Sequence, residues 1–204
     1  MNKWFSSFIN IFFPTKCIVC ATQGPDLCSS CLHSFEPSKP SNYDWITSFW
    51  NYRDPQVEII MRYLKNYPNR RVITSLVNFI TFKSIIPLES IIVPVPIHKK
   101  RFIDRGYNQS ELIAEAFSKK LHIPLGKNIL SKKFRTHKQG TLKSKKSRIH
   151  NLENSFGVRD KALIYKKHIL IIDDITTTGS TLCEIQKTLL ASGARSVSAI
   201  TLAN

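Results

Sequence analysis

Residues His168–Leu182 read HILIIDDITTTGSTL, and the rest of the chain can be placed around them. Ile169, Leu170, Ile171 and Ile172 form an uninterrupted apolar run. A run of that length, bounded by turn residues, predicts a strand buried on both faces of a parallel sheet. Asp173 and Asp174 follow, then Thr176, Thr177, Thr178, Gly179, Ser180 and Thr181, small hydroxyl-bearing residues around a single glycine. Leu182, Ile185 and Leu189 recur at i, i+3 and i+7, which predicts a helix, and Gly193 is placed to stop it.

A loop between a strand and the start of a helix offers unpaired backbone N–H groups and the positive end of a helix dipole, an anion site whose usual occupant is phosphate. Gly179 lets the backbone approach an oxygen closely, and the threonine and serine hydroxyls add donors. Two carboxylates beside a phosphate would repel it. They make sense if the ligand also carries a vicinal diol, whose O–H groups need acceptors, or a magnesium ion, which prefers oxygen ligands. A ribose 5-phosphate meets every one of these demands. A Walker A loop is excluded, because no G-K-[ST] is present. The stretch closely resembles the phosphoribosyl pyrophosphate (PRPP) binding motif of type I phosphoribosyltransferases: hydrophobic strand, two acids, then a TTGST-like loop.

Upstream, residues 91–95 read IIVPV, a second buried strand that Pro94 should end. PIHKKRFIDRGYNQ follows, with Lys99, Lys100, Arg101 and Arg105 closed by Gly106. After Asn108, a plausible cap, Leu112, Ile113, Ala116 and Phe117 mark a helix. Strand, basic loop and helix again come in that order. In a doubly wound sheet ligands sit at the carboxyl ends of such strands, so the basic loop should face the acid-and-threonine loop across a crevice. Asp54 and Pro55 open a further helix as cap and first residue, with Val57, Ile60, Met61 and Leu64 on one face. Residues 70–82 predict another helix, 43–52 a strand rich in aromatic and β-branched residues, and 196–202 an alternating edge strand.

At the front, Cys17 and Cys20 form one C-x2-C pair and, seven residues on, Cys28 and Cys31 form another. Two such pairs read as a four-thiolate zinc site, and nothing signals the secretion that disulfides would require. Residues 1–13 place Trp4, Phe5, Phe8, Ile9 and Phe12 on one helical face, which suits packing on the domain or docking on a membrane surface. This segment has no small-residue cleavage site, and no stretch of 18 apolar residues occurs. The expected organisation is an amphipathic segment over 1–16, a zinc finger over 17–33, a Pro/Ser linker over 34–42 and an α/β domain over 43–204, its mostly parallel sheet flanked by helices.

The 204 residues are 42% hydrophobic and carry a formal net charge of +16. Such an imbalance points to an anionic partner: nucleic acid, a phosphorylated ligand or an acidic membrane face. The most basic segment spans residues 127–150. Lys132, Lys133, Arg135, Lys138, Lys143, Lys145, Lys146 and Arg148 lie there with no acid between them, and Phe134, His137 and His150 are interspersed. Cations with flat side chains suit single-stranded nucleic acid. A solvated flap over the ligand site is the other reading, and one segment can do both.

The combination of parts resembles the ComF/ComFC family over roughly residues 17–204. Its RGxNQ element matches Arg105, Gly106, Tyr107, Asn108 and Gln109; T-x-x-Q matches Thr136 and Gln139; R-x-x-N matches Arg148 and Asn151; the paired cysteines match its zinc finger. The resemblance implies a phosphoribosyltransferase-like fold and a part in natural transformation, assisting uptake of single-stranded DNA at the cytoplasmic face of the inner membrane beside the uptake machinery. If PRPP binds with Mg2+, Thr176–Thr181 would hold its 5-phosphate, Asp173 and Asp174 the ribose diol, and Lys99, Arg101 and Arg105 its pyrophosphate. Carboxylates near C1 would stabilise the cationic sugar as pyrophosphate leaves. The alternative is a working phosphoribosyltransferase of nucleotide metabolism. Purine enzymes of this fold usually carry an acid where Thr177 stands, so a purine acceptor is disfavoured.

Overall fold

A computed structural model describes residues 15–81, 86–132 and 155–204. The amphipathic segment expected at the N-terminus lies outside these residues.

The stretch from His168 forms strand β5, His168–Ile175, at the middle of the molecule. It is flanked by β6, Ser196–Ala203, and by β2, Ser90–Pro94, while β1, Ile46–Trp50, lies beyond β6. The four strands run parallel in the order β1-β6-β5-β2, with Ile171 opposite Val93 on one side and Ala199 on the other. Ile169, Leu170, Ile171 and Ile172 are at most 2% exposed, as a run without polar alternation requires. The strand continues through both acids to Ile175, further than the apolar run alone predicts.

Helices cover both faces. On one, Ile92, Leu170, Ile172, Ile200 and Leu202 pack against three helices: α2, Pro55–Asn66, α3, Arg70–Phe79, and α5, Gln109–Leu121. Asp54 caps α2 by accepting from the Gln56 N–H at 2.8 Å, and Asn69 caps α3 through the Arg71 and Val72 N–H groups. On the other face, Val93, Ile169, Ile171 and Ala199 meet Leu182, Ile185 and Leu189 of α6, Ser180–Ala191. A small antiparallel pair, β3, Leu130–Lys132, with β4, Phe156–Val158, packs beside it.

Three expectations need correcting. β6 is an inner strand, between β1 and β5. Its alternation comes from Ser196 and Ser198, which share hydrogen bonds with His168 Nδ1 (2.8 Å) and Nε2 (2.9 Å) and line a cavity with it. The basic stretch after β2 is no open loop but a seven-residue helix, α4, Lys99–Arg105, with no buried residue, ended by Gly106 at φ 76°. Asn108 precedes α5 without capping it, because its Nδ2 donates to the Val95 carbonyl at 3.0 Å.

The cysteine segment shares the main core. Cys17, Leu27, Cys31, Leu32 and Phe35 are buried together with Ile60, Leu64, Ile73 and Leu76, next to the short helix α1, Ser29–Ser34. The stretch expected as a linker runs along the outer edge of β1. Ser38 N–H donates to Phe49 O (2.9 Å), Asn51 N–H to Glu36 O (2.8 Å), and Pro37 bridges Trp50.

Candidate functional site

The carboxyl ends of β2 and β5 open into a cavity of about 250 Å3. Asp173 and Asp174 line it from the end of β5, His98, Arg101 and Arg105 from α4, Asn108, Gln109 and Ser110 from the start of α5, Lys132 from β3, and Thr181 from α6. Acids and cations thus meet across a crevice where an open α/β sheet binds ligands. A larger cavity of about 550 Å3, with His168 and Ser196 in its wall, lies at the amino ends of β5 and β6 and brings no acids and cations into opposition.

Asp173 is anchored rather than free. Ser110 Oγ donates to its Oδ1 at 2.7 Å, and the Asp174 N–H donates to the same oxygen at 2.9 Å. Its carboxyl is enclosed, although the residue as a whole keeps some surface in the cavity. Burial, followed by the neighbouring Asp174 carboxylate, pushes the Asp173 carboxyl up to about 8. A cation, or hydroxyl donors from a ligand, would relieve that pressure. Asp174 Oδ1 accepts from the Ile175 N–H at 2.8 Å. Lys132 was expected on a nucleic-acid surface, yet it lines this crevice. Burial and then Arg101 hold its ammonium below the usual lysine range, while Asp173 acts in the opposite sense.

The hydroxyl loop forms a second, smaller cavity of about 90 Å3, where Thr176, Thr177, Thr178 and Gly179 face Ser41, Asn42 and Tyr43. Gly179 occupies the N-cap position of α6 with no side-chain cap, so the first N–H groups of that helix have no partner within it. Ser180 lines neither cavity; its hydroxyl lies 2.9 Å from that of Thr178. Lys99 is exposed at the start of α4, outside both. Lys133, Arg135, Lys138, Lys143, Lys145, Lys146 and Arg148, with Thr136, Gln139 and Asn151, lie outside the described residues. Sequence reasoning assigned no role to His98, Gln109, Ser110 or Tyr43. For Gln109 the signal was available, since it closes the RGYNQ element.

The four cysteine sulfurs converge within 4.8 Å of one another, Cys17 and Cys31 at 3.8 Å and Cys20 and Cys28 at 3.7 Å. A disulfide needs about 2 Å, whereas a tetrahedron with bonds of about 2.3 Å has edges of about 3.8 Å. The cluster can hold a metal ion. The Thr22 hydroxyl and backbone hold the Cys20 thiol down, to about 6, while burial pushes Cys31 up.

The phosphoribosyl transferase domain family matches residues 108–204, which include α5, the acid pair and the hydroxyl loop. Competence protein F of Haemophilus influenzae is 31% identical over 179 residues, covering 83% of this chain and 75% of that one. The chain belongs to the ComF/ComFC family. Another similar protein is the DNA utilization protein YhgH of Escherichia coli O157:H7, 28% identical over 89% of this chain and 79% of that one. Competence protein ComFC of Bacillus subtilis is 34% identical over 60% of this chain and 48% of that one. Among solved structures, the allosteric regulatory enzyme of purine biosynthesis superposes at a TM-score of 0.42 with 16% identity, over 70% of this chain and 26% of that chain, too loosely to bear on function. In this ComF/ComFC chain the fold is that of a phosphoribosyltransferase-like domain joined to a four-cysteine cluster. No helix among the described residues is long and apolar enough to cross a membrane.

Proposed function

We propose that this ComF/ComFC protein binds PRPP with Mg2+ in the crevice between β2 and β5, and single-stranded DNA on its basic surface, as a competence factor that assists DNA internalisation. The observation that carries the reading is the opposition of Asp173 and Asp174 to Arg101, Arg105 and Lys132 within one cavity. A ligand lying there meets hydroxyl acceptors and phosphate neutralisation at once. The uncapped start of α6 and the hydroxyls of Thr176, Thr177 and Thr178 suit its 5-phosphate. Zinc at Cys17, Cys20, Cys28 and Cys31 holds the finger, four thiolates being its usual closed set. Mg2+ would bring charge neutralisation between carboxylate and pyrophosphate oxygens. The relatives' names, with competence and DNA utilization in them, support the transformation role. Attachment to the inner membrane and to the uptake machinery belongs to the same reading and rests on the family resemblance.

Titration with PRPP and Mg2+ tests the nucleotide site. Wild type should bind, and Asp173→Asn/Asp174→Asn should bind at least tenfold more weakly; equal affinity would remove the assignment. The second reading, transfer of the ribosyl group to a base, is favoured by the carboxylates beside the expected position of C1. A screen of PRPP with each nucleobase, with and without oligonucleotide, following pyrophosphate release, separates a binding protein from an enzyme.

A further inference from the structure

Gln109 is 3% exposed and lines the acid-and-cation cavity from the first position of α5. Its amide nitrogen and amide oxygen are both buried and have no hydrogen-bond partner; no other buried side-chain nitrogen or oxygen among the described residues is left so. A buried amide with neither donor nor acceptor filled is costly, and native interiors rarely tolerate one without a reason. Its surroundings do not supply partners. Asn108 is committed to the Val95 carbonyl and Ser110 to Asp173. The helix it opens has 13 residues and no side-chain cap, so the first N–H groups of α5 also lack partners within the helix.

The two orphan groups make opposite demands. The –NH2 needs an acceptor and the C=O needs a donor, within about the width of one amide. Free phosphate or pyrophosphate offers acceptors and fills only the first need. Hydroxyl donors stand where a ligand meets Asp173, and phosphate acceptors where it meets Arg101, Arg105 and Lys132. Gln109 adjoins Ser110, the residue hydrogen-bonded to Asp173, and lines the cavity that these cations share. A sugar carrying a diphosphate on the carbon next to a free hydroxyl presents donor and acceptor side by side.

Resting on the PRPP reading above, we infer that Gln109 is a specificity-determining residue whose side chain turns toward the cavity as ligand enters, so that its amide recognises the junction between sugar hydroxyl and anomeric diphosphate and selects the intact phosphoribosyl diphosphate over either fragment. Such a residue is kept at the expense of the unliganded fold.

The test is calorimetric titration of wild type, Gln109→Leu, Gln109→Met and Asp173→Asn with PRPP, ribose 5-phosphate and pyrophosphate, each with Mg2+, together with thermal melts of the proteins alone. Gln109→Leu should melt no lower than wild type, because an unpartnered polar group is exchanged for an apolar one of similar volume. Its PRPP affinity should fall about 10- to 100-fold, as for a lost pair of hydrogen bonds to a partly charged ligand, while affinity for each fragment changes less than about threefold. Gln109→Met, unbranched and adaptable, should behave alike and guards against a Leu variant that packs badly. PRPP affinity within threefold of wild type in a folded variant overturns the inference, and so does an equal loss for all three ligands. If Asp173→Asn abolishes PRPP binding while Gln109→Leu does not, only the role of Gln109 falls. If wild type binds no PRPP, the crevice assignment falls and this inference with it.

Discussion

Gly179 shows how one backbone position shapes the hydroxyl loop. It adopts φ 72° and ψ −4°, and a Cβ built there would stand 2.8 Å from a ring carbon of Tyr43. Gly179→Ala should therefore lose about 1–2 kcal/mol to the left-handed backbone, beyond the displacement of Tyr43, and bind ribose 5-phosphate more weakly. Urea denaturation and titration of the same variant check both. His168 is a second residue with a definite prediction. Burial, then Arg195, lowers its pKa, so the unfolded chain takes up a proton near the ordinary value of about 6.5 while the folded one resists. More protons on the unfolded state mean that stability rises with pH through this window. The contribution is present above about pH 6.5 and is lost on acidification. Melting midpoints measured from pH 5 to 7.5 should fall toward the acid end, and His168→Gln should flatten that part of the slope.

Among the elements, α4 keeps its basic stretch at the crevice as expected, while β3 carries Lys132 of the second basic stretch there as well. Arg101 and Arg105 of α4 and Lys132 at the end of β3 turn into the ligand cavity. The remaining cations expected to meet DNA are the seven from Lys133 to Arg148. If several of them contact phosphates, affinity for a single-stranded oligonucleotide should drop about 300-fold between 50 and 200 mM salt for six contacts. Lys143→Ala/Lys145→Ala/Lys146→Ala should then shallow the log–log salt slope by roughly 2, at about 0.7 per phosphate. An unchanged slope would move the DNA contact away from this segment. Lys132→Ala separates the two sites: it should weaken PRPP binding more than DNA binding, which parallel titrations would read directly.

At the scale of the whole molecule, the cysteine cluster and the ligand domain share one core through Leu27, Leu32, Phe35, Leu64 and Leu76, and residues 36–38 tie it to β1 by backbone hydrogen bonds. If zinc occupies the cluster, chelating it should consequently lower the melting midpoint of the entire protein in a single transition. The coupling available, about 10–16 kcal/mol for structural zinc, is as large as the stability of an ordinary domain, about 5–15 kcal/mol. Two separate transitions would mean that the finger folds by itself. The sequence by itself determined the central strand, the acid pair, the hydroxyl loop and the two cysteine pairs, because each is a local pattern whose chemistry depends on near neighbours along the chain. α2 is likewise local, in the spacing of Val57, Ile60, Met61 and Leu64 and the cap at Asp54; for α3 the sequence predicts only a helix over 70–82, and the structure adds the Asn69 cap and the end at Phe79. Only the tertiary structure decided that β6 lies inside the sheet, that Lys132 belongs to the crevice, that Tyr43 presses on Gly179 and that the Gln109 amide is left without partners. Those outcomes depend on which segments pack together across the sheet, and single-chain periodicity carries no record of that.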